Sequence, residues 1–180
     1  FFGIDAVWEQ AVQGLIIFVS VASYAIDFKK LYKDGYRGIL FDIDNTLVPH
    51  GAPADERALA LFKELKQIGF TTCLISNNKE PRVKSFCDKV DSDYIFKAGK
   101  PLPGGYEEGI RKMKTTKENT LFIGDQIFTD VLGAKRAGLY TIMVKPIHPK
   151  EEIQIVLKRY LERIVLFFYF RSIRKKSVEK

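Results

Sequence analysis

Cysteine and histidine are scarce in this chain, and their scarcity excludes several kinds of site. The 180 residues include two cysteines and two histidines. Cys73 stands in an apolar run and Cys87 in a helical pattern, so we interpret both as small core residues of a protein from a reducing compartment. This excludes a disulfide framework and a cysteine-based metal knuckle. His50 and His148 lie far apart, each beside a proline, and are expected in loops rather than at a metal ion.

Long hydrophobic runs are also missing, with one borderline exception near the N-terminus. Residues 10–26 are uncharged over 17 positions, which is at the short limit for a membrane-spanning helix. The residues before this stretch are acidic rather than basic, unlike a secretory signal. A membrane span and a helix at the membrane interface remain open for this segment, but the sequence favours a helix packed on the domain.

Short β-rich runs alternate with helical patterns from residue 38 onward. The runs are 38–44, 70–76, 93–96, 120–124 and 140–144, and the helical patterns lie near 54–68, 80–90, 103–114 and 127–137. Because the runs are continuously apolar, they predict an α/β fold, a Rossmann-like parallel sheet with helices on both faces. Gly69 and Gly138 are predicted to cap helices in the left-handed conformation. Ligands of such sheets bind beyond the carboxyl ends of the strands, so functional side chains are expected just after each run.

The first run ends in a pair of acidic residues, Asp42 and Asp44. Two carboxylates this close repel each other unless a cation or hydrogen bonds hold them. Magnesium prefers oxygen ligands of this kind. An isolated pair of this type also occurs by chance in surface loops, but its position directly after a β-rich run favours a functional site.

Polar residues follow the next three runs as well. The second run ends at Ser76 and is followed by Asn77, a position where a hydroxyl and backbone N–H groups hold phosphate oxygens or simply cap the next helix. Lys100 follows the third run among glycines, where it would neutralise a phosphoryl group, although lysine is equally ordinary in loops. Asp125 directly follows a glycine at the end of the fourth run, and Asp130 adds another carboxylate there or caps the next helix.

These four elements, taken in order, resemble the four motifs of the haloacid dehalogenase superfamily over about residues 38–145. The resemblance implies that Asp42 is a nucleophile forming an aspartyl-phosphate and that Asp44 is the general acid and base. Ser76 and Lys100 complete the implied catalytic set. The implied contacts to the phosphoryl group come from Thr46, Ser76, Asn77 and Lys100. The implied Mg²⁺ ligands are Asp42, Asp44 (through its backbone carbonyl), Asp125 and Asp130.

The connections between these motifs are too short for a separate cap domain over the site. There are 29 residues between Thr46 and Ser76 and 22 between Asn77 and Lys100, mostly taken by a helix in the first case and a helix and strand in the second. We therefore expect a capless domain with an open site, which suits a bulky substrate.

The C-terminal residues 150–180 form a distinct basic segment. They carry nine Lys and Arg against four Asp and Glu, and so contribute +5 of the net charge of +7. An apolar stripe at helical spacing leads into the wholly apolar run 164–170, which a basic cluster follows. This pattern is typical of a helix at the interface of an anionic membrane. A core or dimer helix is the alternative.

A closer resemblance is carried by FDIDNTLV (41–48) and GDQIFTDVLGAKRAGLYTIMV (124–144). These segments resemble the subclass IIIA phosphatidylglycerophosphate phosphatases of bacteria and organelles. The resemblance implies a Mg²⁺-dependent phosphatase acting on this phospholipid phosphomonoester, cytoplasmic and peripherally bound to the membrane. Its expected parts are an N-terminal apolar, helical segment (1–37), a catalytic domain (38–149) and a C-terminal amphipathic basic helix (150–180).

Two other functions remain open from the sequence. One is a phosphatase of soluble phosphomonoesters, and the other is a non-catalytic adaptor at the membrane surface. The adaptor is disfavoured because both Asp42 and Asp44 are present. Nucleic acid is not expected as a partner, because the aromatic residues of the tail are contiguous rather than spaced for base stacking.

Overall fold

The structure is a computed structural model that describes residues 26–148. The C-terminal segment 150–180, and the N-terminal stretch 10–26 apart from its last residue, lie outside the described residues. The helices are α1 (Phe28–Lys33), α2 (Glu56–Ile68), α3 (Glu80–Val90), α4 (Gly104–Met113) and α5 (Leu132–Arg136). The strands are β1 (Gly38–Phe41), β2 (Thr71–Ile75), β3 (Asp93–Ile95), β4 (Thr120–Gly124) and β5 (Tyr140–Met143). A π-helical turn, Ile127–Val131, leads into α5.

The strands form one parallel sheet in the order β3-β2-β1-β4-β5. At its centre, Leu40 of β1 is paired with Cys73 of β2 and Phe122 of β4. The predicted parallel α/β fold is confirmed. The first strand is shorter than predicted, since it ends at Phe41 and leaves the acidic pair in the loop that follows. The connections on either side of β2 contain α2 and α3, and neither holds a separate cap domain.

Apolar side chains cover both faces of the sheet. Ile39 and Phe41 of β1 belong to the core beneath α2 and α3. Leu40, which lies between them and points to the opposite face, belongs to the core beneath α4 and α5. Burial on both faces explains why the strands are continuous apolar runs in the sequence rather than alternating ones.

Capping residues fix the ends of α2. The Asp55 carboxylate accepts a hydrogen bond from the Ala58 N–H at the N-terminus of the helix. At the C-terminus, Gly69 adopts a left-handed φ of 110° and donates its N–H to the carbonyl of Leu65, as predicted. Gly138, with a φ of 79°, likewise follows α5.

The short helix α1 packs against the core beneath α2 and α3. Phe28 is buried with its ring centroid 6.5 Å from that of Phe70, and Tyr32 approaches the same ring at 5.3 Å. Residues 28–36 therefore contribute side chains to the core beneath α2 and α3, and the predicted division of the chain at residue 38 stays a prediction. None of the helices within residues 26–148 is long and apolar enough to cross a membrane.

The two cysteines are buried and unpaired, as predicted. Burial raises the pKa of the Cys87 thiol to about 12 and also raises the pKa of the Cys73 thiol above its ordinary value. Because the thiolate is the reactive form of cysteine, both side chains act as packing residues.

Candidate active site

Three carboxylates meet at the carboxyl edge of the sheet. Asp42 follows β1, Asp125 follows β4, and Asp130 lies in the π-helical turn, with one oxygen from each within 4.8 Å of the others. All three residues are buried, at 6%, 0% and 1% exposure. The cluster forms because β1 and β4 are paired in parallel, so that their carboxyl ends lie side by side.

The ammonium of Lys100 holds two of these carboxylates. Its Nζ donates to Asp42 Oδ1 and, at 2.8 Å, to Asp130 Oδ1. Lys100 is itself positioned by Asn77, whose side-chain oxygen accepts from the Lys100 N–H at 2.8 Å and whose amide donates to the Lys100 carbonyl at 3.1 Å. These hydrogen bonds tie the Asn77 side chain to the loop that carries the lysine, and the phosphate contact of Asn77 stays a prediction.

The lysine and the nucleophile candidate shift each other's ionisation. Burial raises the pKa of the Asp42 carboxyl to about 7, an effect that the Lys100 ammonium opposes and that Asp130 and Asp44 reinforce. Burial alone would lower the pKa of Lys100, but the carboxylates of Asp130 and Asp42 raise it above its ordinary value. Lys100 therefore stays positively charged at neutral pH.

Asp130 is fixed by backbone groups as well as by the lysine. Its Oδ2 accepts hydrogen bonds from the N–H groups of Asp125 and Gln126, at 3.2 and 3.1 Å. The glycine at position 124 leaves the room for this, since a Cβ there would lie 2.8 Å from Asp130 Oδ2 and 2.6 Å from the Phe122 ring. With both oxygens engaged, Asp130 organises the cluster.

The Tyr106 hydroxyl braces the same turn. It donates to the backbone carbonyls of Thr129 and Asp130, at 3.0 and 3.2 Å. Burial raises the pKa of Tyr106 above its ordinary value, so its proton is retained for these bonds. Sequence reasoning missed Tyr106, because nothing in a helical pattern distinguishes this buried tyrosine from an ordinary core residue.

Thr46 contacts Asp125. Its buried hydroxyl donates to Asp125 Oδ1 at 3.1 Å. The hydroxyl thereby orients a candidate metal ligand, and the phosphate contact of Thr46 stays a prediction. Ser76, at the end of β2, is also buried, and its Oγ accepts a hydrogen bond from the Asn78 N–H at 3.1 Å. The phosphate contact of Ser76 stays a prediction.

The cluster fits a hard divalent cation such as Mg²⁺. Its donors are carboxylate oxygens, and Asp42 Oδ2 is buried without a hydrogen-bond partner among the described residues. An unpaired buried carboxylate oxygen is costly, and a cation would satisfy it. Asp42 and Asp125 would hold the ion, and Asp130 would support them. When bound, Mg²⁺ neutralises charge on the phosphoryl group and the carboxylates.

The Asp44 carboxylate lies outside this cluster and has its own hydrogen-bond partners. Its Oδ1 accepts from the Gly51 N–H at 2.8 Å and from Arg82 Nη2 at 3.0 Å, and its Oδ2 accepts from Asn78 Nδ2 at 2.6 Å. The Asp44 carboxylate is thus not one of the three clustered carboxylates, and a metal contact through its backbone carbonyl stays a prediction. His50 lies in the adjoining loop, as predicted, with Nδ1 4.0 Å from Asp44 Oδ1.

The raised pKa of Asp42 predicts that the native chain and an Asp42→Asn variant differ in how their free energies of unfolding depend on pH, when both are measured without bound metal. Between about pH 4 and pH 7 the folded protein keeps a proton on Asp42 that the unfolded chain has released. The unfolded state binds fewer protons, so this group's contribution to the free energy of unfolding falls as pH rises through that window. We expect Asp42→Asn to gain stability relative to the native chain between pH 4 and pH 7, measured by urea unfolding with EDTA. A constant difference across this range would contradict the assignment.

Sequence and structure comparisons agree with this geometry. Residues 53–138 match the family model described as haloacid dehalogenase-like hydrolase. The chain is 38% identical over 139 residues to the probable phosphatase YqeG of Bacillus subtilis, covering 77% of this chain and 81% of that protein. It is 27% identical over 166 residues to a chloroplastic/mitochondrial phosphatidylglycerophosphate phosphatase 1 of Arabidopsis thaliana, covering 83% of this chain and 45% of the plant protein.

A solved structure shares the fold. The cobalt-bound deoxy-D-mannose-octulosonate 8-phosphate phosphatase of Haemophilus influenzae superposes with a TM-score of 0.51 at 15% identity, over 64% of this chain and 70% of that one. At this low identity the similarity shows a shared fold alone. The Bacillus subtilis relative and the family model are similar to this chain in sequence as well. The chain therefore belongs to the haloacid dehalogenase-like hydrolases and is a phosphoric monoester hydrolase of that family.

Proposed function

We propose that this protein hydrolyses phosphatidylglycerophosphate at a membrane surface, with Mg²⁺ and through an aspartyl-phosphate intermediate. The observation that carries the mechanism is the Asp42 carboxylate, which has one oxygen on Lys100 and the other without a hydrogen-bond partner among the described residues. That second oxygen is the atom with the freedom to bind a metal or attack phosphorus.

The chain's residues support a two-step transfer. In the first step an Asp42 oxygen bonds to phosphorus, the bond to the leaving oxygen breaks, and Asp44 gives that oxygen a proton. In the second step Asp44 takes a proton from water, which attacks the same phosphorus and restores the Asp42 carboxylate. The ammonium of Lys100 offsets negative charge on the phosphoryl group throughout.

Three observations support a lipid substrate. The plant relative, which is named a phosphatidylglycerophosphate phosphatase, aligns with most of this chain. The connections flanking β2 hold single helices and no cap domain, so a large substrate has access from the sheet edge. The sequence of residues 150–180 predicts a helix suited to an anionic interface, where each Lys or Arg contributes about 1 kcal/mol.

A substrate panel tests this proposal. We expect turnover of phosphatidylglycerophosphate in anionic vesicles to exceed that of glycerol 3-phosphate and sugar phosphates in kcat/KM, and to stop with EDTA and recover with Mg²⁺. A chain ending at residue 163 should lose vesicle binding and lipid turnover, yet keep hydrolysis of a soluble phosphomonoester. If the soluble substrates are preferred, or truncation lowers both activities equally, the lipid assignment is wrong. Full activity in excess chelator would instead contradict the metal.

A further inference from the structure

Two side chains that follow β2 grip the Asp44 carboxylate from different sides. Asn78 Nδ2 donates to Oδ2 at 2.6 Å, and Arg82 Nη2 donates to Oδ1 at 3.0 Å. Asn78 lies two residues before the start of α3, and Arg82 lies in the first turn of that helix. Both therefore stand at the edge of the sheet where the catalytic loops meet. We infer that Arg82 is a positioning residue for Asp44, assisted by Asn78, and sets the direction in which this carboxylate meets the leaving group.

The environment of Arg82 distinguishes it from a surface arginine. Its side chain is 22% exposed, and its Nε is buried without a hydrogen-bond partner among residues 26–148. The guanidinium carbon lies 5.6 Å from the centroid of the Phe86 ring, one turn further along α3. By comparison, the Arg57 side chain on α2 is 58% exposed beside Asp55. Arg82 is thus withdrawn from water and directed at one carboxylate.

These hydrogen bonds matter because the torsion that turns an aspartate carboxylate about its Cβ–Cγ bond is soft unless the oxygens are held. The donors on Oδ1 and Oδ2 fix the plane of the Asp44 carboxylate, and the Gly51 N–H adds a third hydrogen bond. Misplacing a reacting group by about 1 Å costs on the order of 100-fold in rate. This inference rests on the proposed role of Asp44 as the acid that protonates the leaving oxygen.

The role of Asp44 as the general acid provides a test that separates a positioning residue from a purely structural one, because the two predict different effects on substrates with different leaving groups. An alkyl phosphate releases a basic alkoxide that needs a proton from Asp44, whereas p-nitrophenyl phosphate releases a stable phenolate that does not. The parameter kcat/KM reports the first chemical step, in which this group leaves. We expect Arg82→Ala to lower kcat/KM for an alkyl phosphate by about 10- to 100-fold and to change that for p-nitrophenyl phosphate by less than about 3-fold. Arg82→Lys, which keeps the charge, should fall between the native chain and Arg82→Ala.

Matched variants complete the experiment. Asn78→Ala should show the same selective loss, which keeps the test valid if Arg82→Ala unfolds. Arg57→Ala should behave as the native chain. Adding Arg82→Ala to Asp44→Asn should cause no further loss, because the group being positioned is already gone. Equal losses for both substrates, or additive effects in the double variant, would overturn the inference while leaving the phosphatase proposal intact. Failure of the proposed function would instead appear as an Asp42→Asn variant that remains active on both substrates.

Discussion

Asp42→Asn is expected to lower kcat by about 10⁴-fold or more, with the protein still folded. An amide nitrogen or oxygen does not form the acyl-phosphate bond that carries the phosphoryl group. The substitution keeps the shape of the side chain, and the buried Lys100 retains its bond to Asp130. The measurement pairs steady-state turnover with intact-protein mass after a rapid acid quench. The native chain should show the mass of one added phosphoryl group, and the variant none.

Two further variants serve as a control and as a comparison for Asp42→Asn. Asp93→Asn makes the same chemical change at an exposed site at the start of β3, away from the catalytic edge, and should leave turnover unchanged. Asp44→Asn should still form some phosphoenzyme but break it down slowly, because the base that activates water is missing. Near-native turnover by Asp42→Asn would eliminate the proposed nucleophile.

Lys100→Met should remove most activity and destabilise the protein at neutral pH. The ammonium is the cation that pairs with Asp42 and Asp130 in the described site, and all three residues are buried. Removing one partner of a buried ion pair costs about 3–5 kcal/mol, because the remaining charge is left uncompensated. Losing the charge beside the phosphoryl group should lower kcat by about 10²- to 10³-fold. Urea unfolding and steady-state kinetics measure the two effects.

The pH dependence of this variant separates charge from packing. Burial raises the pKa of Asp42 in the native chain to about 7 against the opposing effect of the Lys100 ammonium, so removing the lysine should raise this pKa further. The loss of stability should therefore be largest well above pH 7 and shrink as the pH falls toward 7, where Asp42 of the variant regains a proton in the folded state. The control Lys97→Met removes an exposed lysine from the same loop and should alter neither stability nor turnover. A Lys100→Met variant as stable as the native chain at pH 8 would show that the buried pair contributes little.

Most of the fold was predictable because its signals are local. Strands buried on both faces need continuous apolar runs, and all five runs from residue 38 to residue 144 became strands of a parallel sheet. The end of α2 was also predictable from the sequence, since the left-handed cap at Gly69 favours a residue without a side chain. The end of β1 was misplaced by three residues, because Ile43 is as buried as the strand residues before it.

The roles of individual site residues were harder to derive. Asn77 and Thr46 stand at the expected edge, and the contacts of their side chains with the Lys100 loop and Asp125 were not predicted from the sequence. The sequence did not predict a role for Arg82, because an arginine in the first turn of a helix is usually solvated. Its direction toward Asp44, 38 positions earlier in the chain, follows from the packing of α3 beside the loop after β1.

The sequence by itself determined the parallel α/β fold, the edge at which chemistry occurs and the acidic residues that stand there. These follow from burial periodicity and from the rule that side chains after parallel strands converge on one edge. Only the tertiary structure decided which carboxylates share the cluster. Asp42 and Asp44 are two positions apart, but the pairing of β1 with β4 brings Asp42 to Asp125 and Asp130. Asp44 instead contacts Asn78, in the loop after β2, and Arg82, in the first turn of α3. The physical reason is that hydrogen bonds and ion pairs act over a few ångströms of space, and the distance along the chain does not set them.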